Sequence, residues 1–391
     1  MIVAICLACN NYSISEKQAD SFLKYFPISP DDNLGVGVTR NLNGGYVILS
    51  NISFSGGAGS NQDIPVIFCD EFGRQGSNSP VWVGSTGEDK GNCIIPVSDG
   101  YIISGSSNIS GEKEGLLMKI GTGGQLAWLK NYSNYPEMEL KQVIQSLDGT
   151  YLATGSVVDS TGKQKAIVIE ATSNGDLLWI TDPQGYSGFD VQGESIIEYQ
   201  SRILVVAYQS ISSGGDQIVI LNAKRDGRGI VPYWIPQVAG EKDLVGIKII
   251  RDLAGRLYVL GNEVNPIDGF SRIFLAKIEL SGGGNEIVSV VDSAFIDNPW
   301  SVHGNDIKPV PGGQLAVCGR KSVQNDLNIY FALFNENLEL TLSREFGSKG
   351  DQSAYGLYIT GNGGYALTGS ADLGGAGTTM LLKLDSDGEL K

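Results

Sequence analysis

Acidic side chains stand just ahead of successive copies of one strand-like phrase: Asp32, Asp89, Glu139, Asp190, Asp243 and Asp351, with Asp297 a looser match. Carboxylates gathered at one place would bind a hard cation such as Ca²⁺, or a basic segment of a partner. A carboxylate at a strand entrance can instead accept backbone N–H bonds, as in an Asx turn, and then it fixes a loop. The second reading is favoured, because a structural duty recurs with every repeat whereas one ligand seldom needs every copy. The first would make Asp32, Asp89, Glu139, Asp190, Asp243 and Asp351 a cation or ligand site at a channel mouth.

Other chemistry is sparsely represented. His303 is the only histidine, which leaves a His-based metal site or proton relay without partners. No Gly-x-Ser-x-Gly phrase occurs, and with 43 acidic residues some pairs reach glycosidase-like spacing by chance. Asp385-Ser386-Asp387-Gly388 lacks the later ligands of a calcium loop and reads as a hairpin turn. Trp82, Trp128, Trp179 and Trp234 share one repeated position, with Phe22 and Leu342 as counterparts, and packing explains them. Trp300 departs from that pattern, and with His303 it is the candidate rim contact. No catalytic residue is assigned, and no cofactor is expected apart from Ca²⁺ at the acidic positions.

The elements that must position these residues are read from a repeated turn and strand. Gly45-Tyr46-Val47, Gly100-Tyr101-Ile102, Thr150-Tyr151-Leu152 and Gly364-Tyr365-Ala366 are clear copies, and Arg202-Ile203, Arg256-Leu257 and Gln314-Leu315 begin degenerate ones. Strand starts at 46, 101, 151, 203, 257, 315 and 365 lie 50 to 58 residues apart, the length of a propeller blade. Within unit three, Leu140 to Ser146 and Tyr151 to Val157 flank an Asp148-Gly149 turn, Ala166 to Ala171 follows, and Leu177 to Thr181 ends the unit. The expected fold is therefore all-β, a seven-bladed β-propeller with four antiparallel strands per blade and no long helix. Unit seven reaches Gly388-Glu389-Leu390-Lys391 where other units continue into a tryptophan strand. Phe22-Leu23-Lys24-Tyr25-Phe26 has the pattern of the missing strand and is expected to complete that blade and close the ring.

A uniform repeat argues for one propeller domain over 21–391 despite the length of 391 residues. The net charge of −15 and the lack of Lys/Arg clusters argue against nucleic acid. Cys69, Cys93 and Cys318 fall in different blades and predict buried, inert thiols without a disulfide. Met1-Ile2-Val3-Ala4-Ile5-Cys6-Leu7-Ala8-Cys9 resembles the end of a bacterial lipoprotein signal, which implies residues 1–9 as signal remnant, Cys9 as acylated anchor and residues 10–20 as tether.

Ala171-Thr172-Ser173-Asn174-Gly175-Asp176-Leu177-Leu178-Trp179 is similar to the tryptophan-docking repeat of quinoprotein-type propellers. With the Gly-Tyr hairpins and Cys9, the chain resembles the propeller lipoproteins of Bacteroidota cell envelopes, over residues 9 to 391. That resemblance implies an outer-membrane lipoprotein on the periplasmic or surface face, monomeric, and no active-site residues carry over from it. The expected function is an interaction module binding an envelope protein or a glycan through one rim. The alternative is an envelope enzyme working at the channel mouth, either a quinone-dependent oxidoreductase or a polysaccharide-cleaving enzyme. Quinoprotein dehydrogenases would add a Cys-Cys pair, which this chain does not have.

Overall fold

The computed structural model describes residues 21–53, 64–109, 111–181, 190–211, 215–225, 230–234, 243–281, 287–296, 299–324 and 326–391. Cys9, the 10–20 tether and Asp297 lie outside them. Among the described residues, strands β1–β28 in chain order form seven four-stranded antiparallel sheets, the blades of a propeller. The innermost strands, each the first of its blade, are β2 (Asp32–Arg40), β6 (Glu88–Val97), β10 (Glu139–Gln145), β14 (Asp190–Tyr199), β18 (Asp243–Arg251), β22 (Val302–Val310) and β26 (Gln352–Ile359).

Burial accounts for the sequence pattern of each layer. A blade is sandwiched between two others, so its second and third strands are covered on both faces and read as continuous apolar runs rather than alternating ones. The second strand of blade 3, β11 (Tyr151–Val158), is buried over seven successive residues. The outermost strand of blade 2, β9 (Leu126–Tyr132), is mostly half-buried or exposed. Apolar side chains accordingly form one cluster at each of the seven seams between blades. The fourth strand adds an aromatic clasp. Trp128 packs on Tyr151 of the next blade at 6.1 Å between ring centroids, and a Cβ on Gly175 would meet the Trp128 ring at 2.7 Å.

Ring closure uses the same clasp with a different aromatic residue. β1 (Phe22–Phe26) pairs antiparallel with β28 (Gly377–Leu384), from Phe22↔Lys383 to Phe26↔Thr379, and completes the blade begun by β26. Phe22 takes the tryptophan's place. It lies 6.3 Å from Tyr46, edge to face, and a Cβ on Gly73 would meet its ring at 2.5 Å. Leu342 fills the position in blade 6, where Gly388 approaches it as Gly175 approaches Trp128. Ser21, just ahead of β1, holds Lys391, its hydroxyl accepting from the Lys391 amide at 2.6 Å.

Cys69, Cys93 and Cys318 are free and stand in three different blades. Cys69 and Cys318 are buried, and burial pushes the Cys69 thiol up to about 12. Cys93 departs from the expectation of three buried thiols. It is half-buried on β6 and lines the central channel, because the backbone shifts register at that point.

Candidate functional site

The innermost strands do not run smoothly. Each pairs with its second strand across a β-bulge, and the extra residue is Val36, Asn92, Lys141, Glu194, Ile247, Asn305 or Tyr355, one per blade. A bulge inserts one residue and re-aims its side chain. Close backbone contact accompanies it in four blades, where a glycine of the second strand faces the first-strand carbonyl. A Cβ on Gly105, Gly155, Gly319 or Gly369 would lie only 1.8 to 1.9 Å from the carbonyl oxygen of Lys90, Glu139, His303 or Ser353. All seven extra residues line a cavity of about 300 Å³ in the central channel.

Lysines dominate its charge. Lys90, Lys141, Lys248 and Lys308 line the cavity with Glu194 and Asp306, and Glu139 stands at its edge. Several partners are assigned. Lys308 reaches Asp306 at 3.1 Å and Lys248 reaches it at 3.8 Å, while Asp306 also accepts from the Leu357 amide of the next blade at 3.0 Å. Lys141 donates to Glu139 at 3.0 Å, and Asn92 donates to the same carboxylate at 2.9 Å. Burial alone would raise the Glu139 carboxyl, but the charge of Lys141 and these hydrogen bonds hold it down at about 2. Glu194 differs. Among the described residues it has no hydrogen-bond or ion-pair partner within 4 Å, and burial pushes it up to about 7 against the attraction of Lys141. Two carboxyls set apart by environment around one lysine can hold or release a proton near neutrality.

The acidic residues singled out in the sequence are placed one strand entrance per blade and do not converge. Asp32 accepts from the Gly377 amide at 2.7 Å, Asp190 from Gln164 at 2.8 Å, Asp243 from Asp216 at 2.9 Å, and Asp351 from Leu327 at 2.8 Å. In every case the acceptor ties a blade to the start of the third strand of the preceding blade. Asp89 is buried and accepts from the Ser85 hydroxyl at 2.9 Å, within its own entrance loop. Glu139 alone among the six reaches the channel cluster. Among the described residues no three His, Cys, Asp or Glu side chains are grouped to hold a metal ion. We expect Asp190→Ala and Asp351→Ala each to cost about 1 kcal/mol in urea unfolding. Loss of Ca²⁺ binding with no loss of stability would overturn that assignment.

Trp300 and His303 part company in space. Trp300 is 43% exposed on the rim, whereas His303 turns into the seam with blade 5, its Nε2 3.2 Å from Asn262 Nδ2. Burial, assisted by the Arg320 charge, lowers His303 to about 4 and keeps the ring neutral at physiological pH. Phe270 is a rim neighbour that sequence reading missed. The amide of Ser271 donates to Ser301 Oγ at 2.9 Å, which brings the preceding residues Phe270 and Trp300 to the same seam. The channel residues were missed too, although a signal existed. Glycine precedes the extra residue in Gly35-Val36, Gly91-Asn92, Gly193-Glu194, Gly246-Ile247 and Gly304-Asn305, and glycine inside a strand marks a bulge.

No family model matches the chain, and no curated protein matches it. Solved structures do. A protein of unknown function from Dyadobacter fermentans is 11% identical, with 92% of this chain and 97% of that one covered and a TM-score of 0.53. An ulvan lyase bound to -[GlcA(1-4)Rha3S]- is 10% identical, with coverage of 92% and 96% and a TM-score of 0.57. The extracellular domain of a putative hybrid two-component system from B. thetaiotaomicron is 11% identical, with coverage of 95% and 44% and a TM-score of 0.50. At these identities the likeness is one of fold, the β-propeller that this chain shares with polysaccharide lyases and with a protein of unknown function.

Proposed function

We propose that this chain is a binding module that takes an acidic glycan at its channel, held in the bacterial envelope by a lipid on Cys9. The observation that carries the reading is the convergence of Lys90, Lys141, Lys248 and Lys308 on one cavity in a chain of net charge −15. Lysine in a partly desolvated site binds carboxylate or sulfate strongly, and the acidic exterior disfavours anions elsewhere. The exposed rings of Phe270 and Trp300 add a surface on which a sugar face can stack. An ulvan lyase of the same fold holds an acidic, sulfated glycan, which makes this ligand class a reasonable first choice.

Calorimetry with an oligogalacturonate tetramer and a neutral cello-oligosaccharide tests the reading. The acidic sugar should bind, weaken with added salt, and lose roughly ten- to a hundred-fold in Lys141→Ala. Equal binding of both sugars, or binding of neither, would sink it. Labelling cells with an alkyne fatty acid tests the anchor, since label on Cys9→Ser would exclude that residue. The presence of Glu194 in the same cavity favours one second reading, a polysaccharide-cleaving enzyme with Glu194 exchanging the proton. Shortened or unsaturated products from the same oligogalacturonate would replace the binding-module reading with that one.

A further inference from the structure

Glu194 is the channel group that the rest of the protein leaves unused. It is the extra residue of the bulge between Gly193 and Ser195, and a Cβ on Gly193 would meet Thr154 Oγ1 at 2.7 Å and the Gly155 carbonyl oxygen at 2.9 Å. The backbone of blade 4 is therefore pressed against blade 3 at that point, and the Glu194 side chain lines the cavity. Every other carboxylate of the cluster is engaged. Glu139 receives Lys141 and Asn92, and Asp306 receives Lys308 and two backbone amides, whereas Glu194 accepts nothing among the described residues.

The groups facing Glu194 come from four strands besides its own. Lys141 and Glu139 lie on β10, Lys90 on β6, Lys248 on β18 and Tyr208 on the second strand of blade 4. Three of these are lysines, and Lys141 and Lys248 are shared with carboxylates that are already partnered. An ionised Glu194 is thus the charge that most nearly balances the lysine field, and a neutral one leaves that field open to an external anion.

We propose that Glu194 is a proton-operated gate on an anion seat in the channel: protonated, it yields the field of Lys90, Lys141 and Lys248 to a carboxylate or sulfate of the ligand, and ionised, it occupies that field itself. The gate regulates the site described under Proposed function and rests on that reading for its glycan ligand. It stands without that reading for a free anion. Proton uptake accompanies ligand binding, and no covalent step is involved.

The test is titration of the full chain by calorimetry with inorganic sulfate and with the oligogalacturonate tetramer at pH 6 and pH 8. Both probes keep their charge over that range, so any pH dependence belongs to the protein. With Glu194 titrating at about 7, affinity for either probe should fall about tenfold between the two pH values. Glu194→Gln should bind at pH 8 as tightly as the wild type at pH 6, with a flat profile. Lys141→Ala and Lys248→Ala should each weaken binding at pH 6, and two lysine variants guard against one that misfolds. Sulfate binding that falls with pH while the tetramer fails to bind keeps the gate and discards the glycan reading. A wild-type affinity that does not change with pH, a Glu194→Gln variant that keeps the slope, or binding of neither probe at either pH would overturn the gate.

Discussion

Replacing Glu194 by glutamine is expected to stabilise the propeller against urea at pH 8.5 by about 2 kcal/mol and to leave its stability unchanged at pH 4. The folded carboxyl titrates at about 7, above its ordinary value of 4.5, because burial disfavours the charge more than Lys141 favours it. A carboxyl raised in the folded state costs nothing while it is neutral in both states, below its unfolded value. The cost grows as pH climbs from 4.5 through 7, where the unfolded chain has released the proton and the folded chain has not. The full shift would be worth about 3 kcal/mol, and we expect less because water reaches the cavity. Glutamine keeps the shape and the neutral state, so the variant should lose this pH dependence. Parallel stability profiles for wild type and variant from pH 4 to pH 8.5 would show that Glu194 is not held as described.

The second large effect concerns closure. Phe22→Ala with Phe26→Ala should destabilise the whole ring by on the order of 5 kcal/mol and expose a strand edge prone to pairing with other chains. Phe26 is 4% exposed within the seam between blades 7 and 1, and Phe22 is the counterpart of the tryptophan clasp on Tyr46 and Gly73. Loss of β1 packing would leave the ladder from Thr379 to Lys383 without its partner. A closed ring has no free seam, so damage to this strand spreads beyond one blade. Unfolding should broaden or split, with concentration-dependent aggregation, measured by urea titration and light scattering. A variant that unfolds as cooperatively as the wild type, within 1 kcal/mol of it, would mean that closure lies elsewhere.

Chain periodicity by itself determined the architecture. The Gly-Tyr hairpins, the spacing of strand starts and the Phe22–Phe26 segment specify seven blades and their closing strand because turn chemistry and apolar runs are local properties of neighbouring residues. The entrance carboxylates were legible as a position, and Asp32, Asp190, Asp243 and Asp351 stand where the repeat puts them. Their partners were not legible, since Gly377, Gln164, Asp216 and Leu327 stand at the start of the third strand of the preceding blade, across a seam in space. The channel cluster was decided by tertiary structure alone. A bulge shifts the two-residue period of a strand by one, so alternation along the sequence no longer tells which side chain faces inward. Lys90, Lys141, Glu194, Lys248 and Lys308 also lie far apart in the chain, and only the closing of the ring brings them to one cavity, where burial and mutual charge set a carboxyl's affinity for its proton.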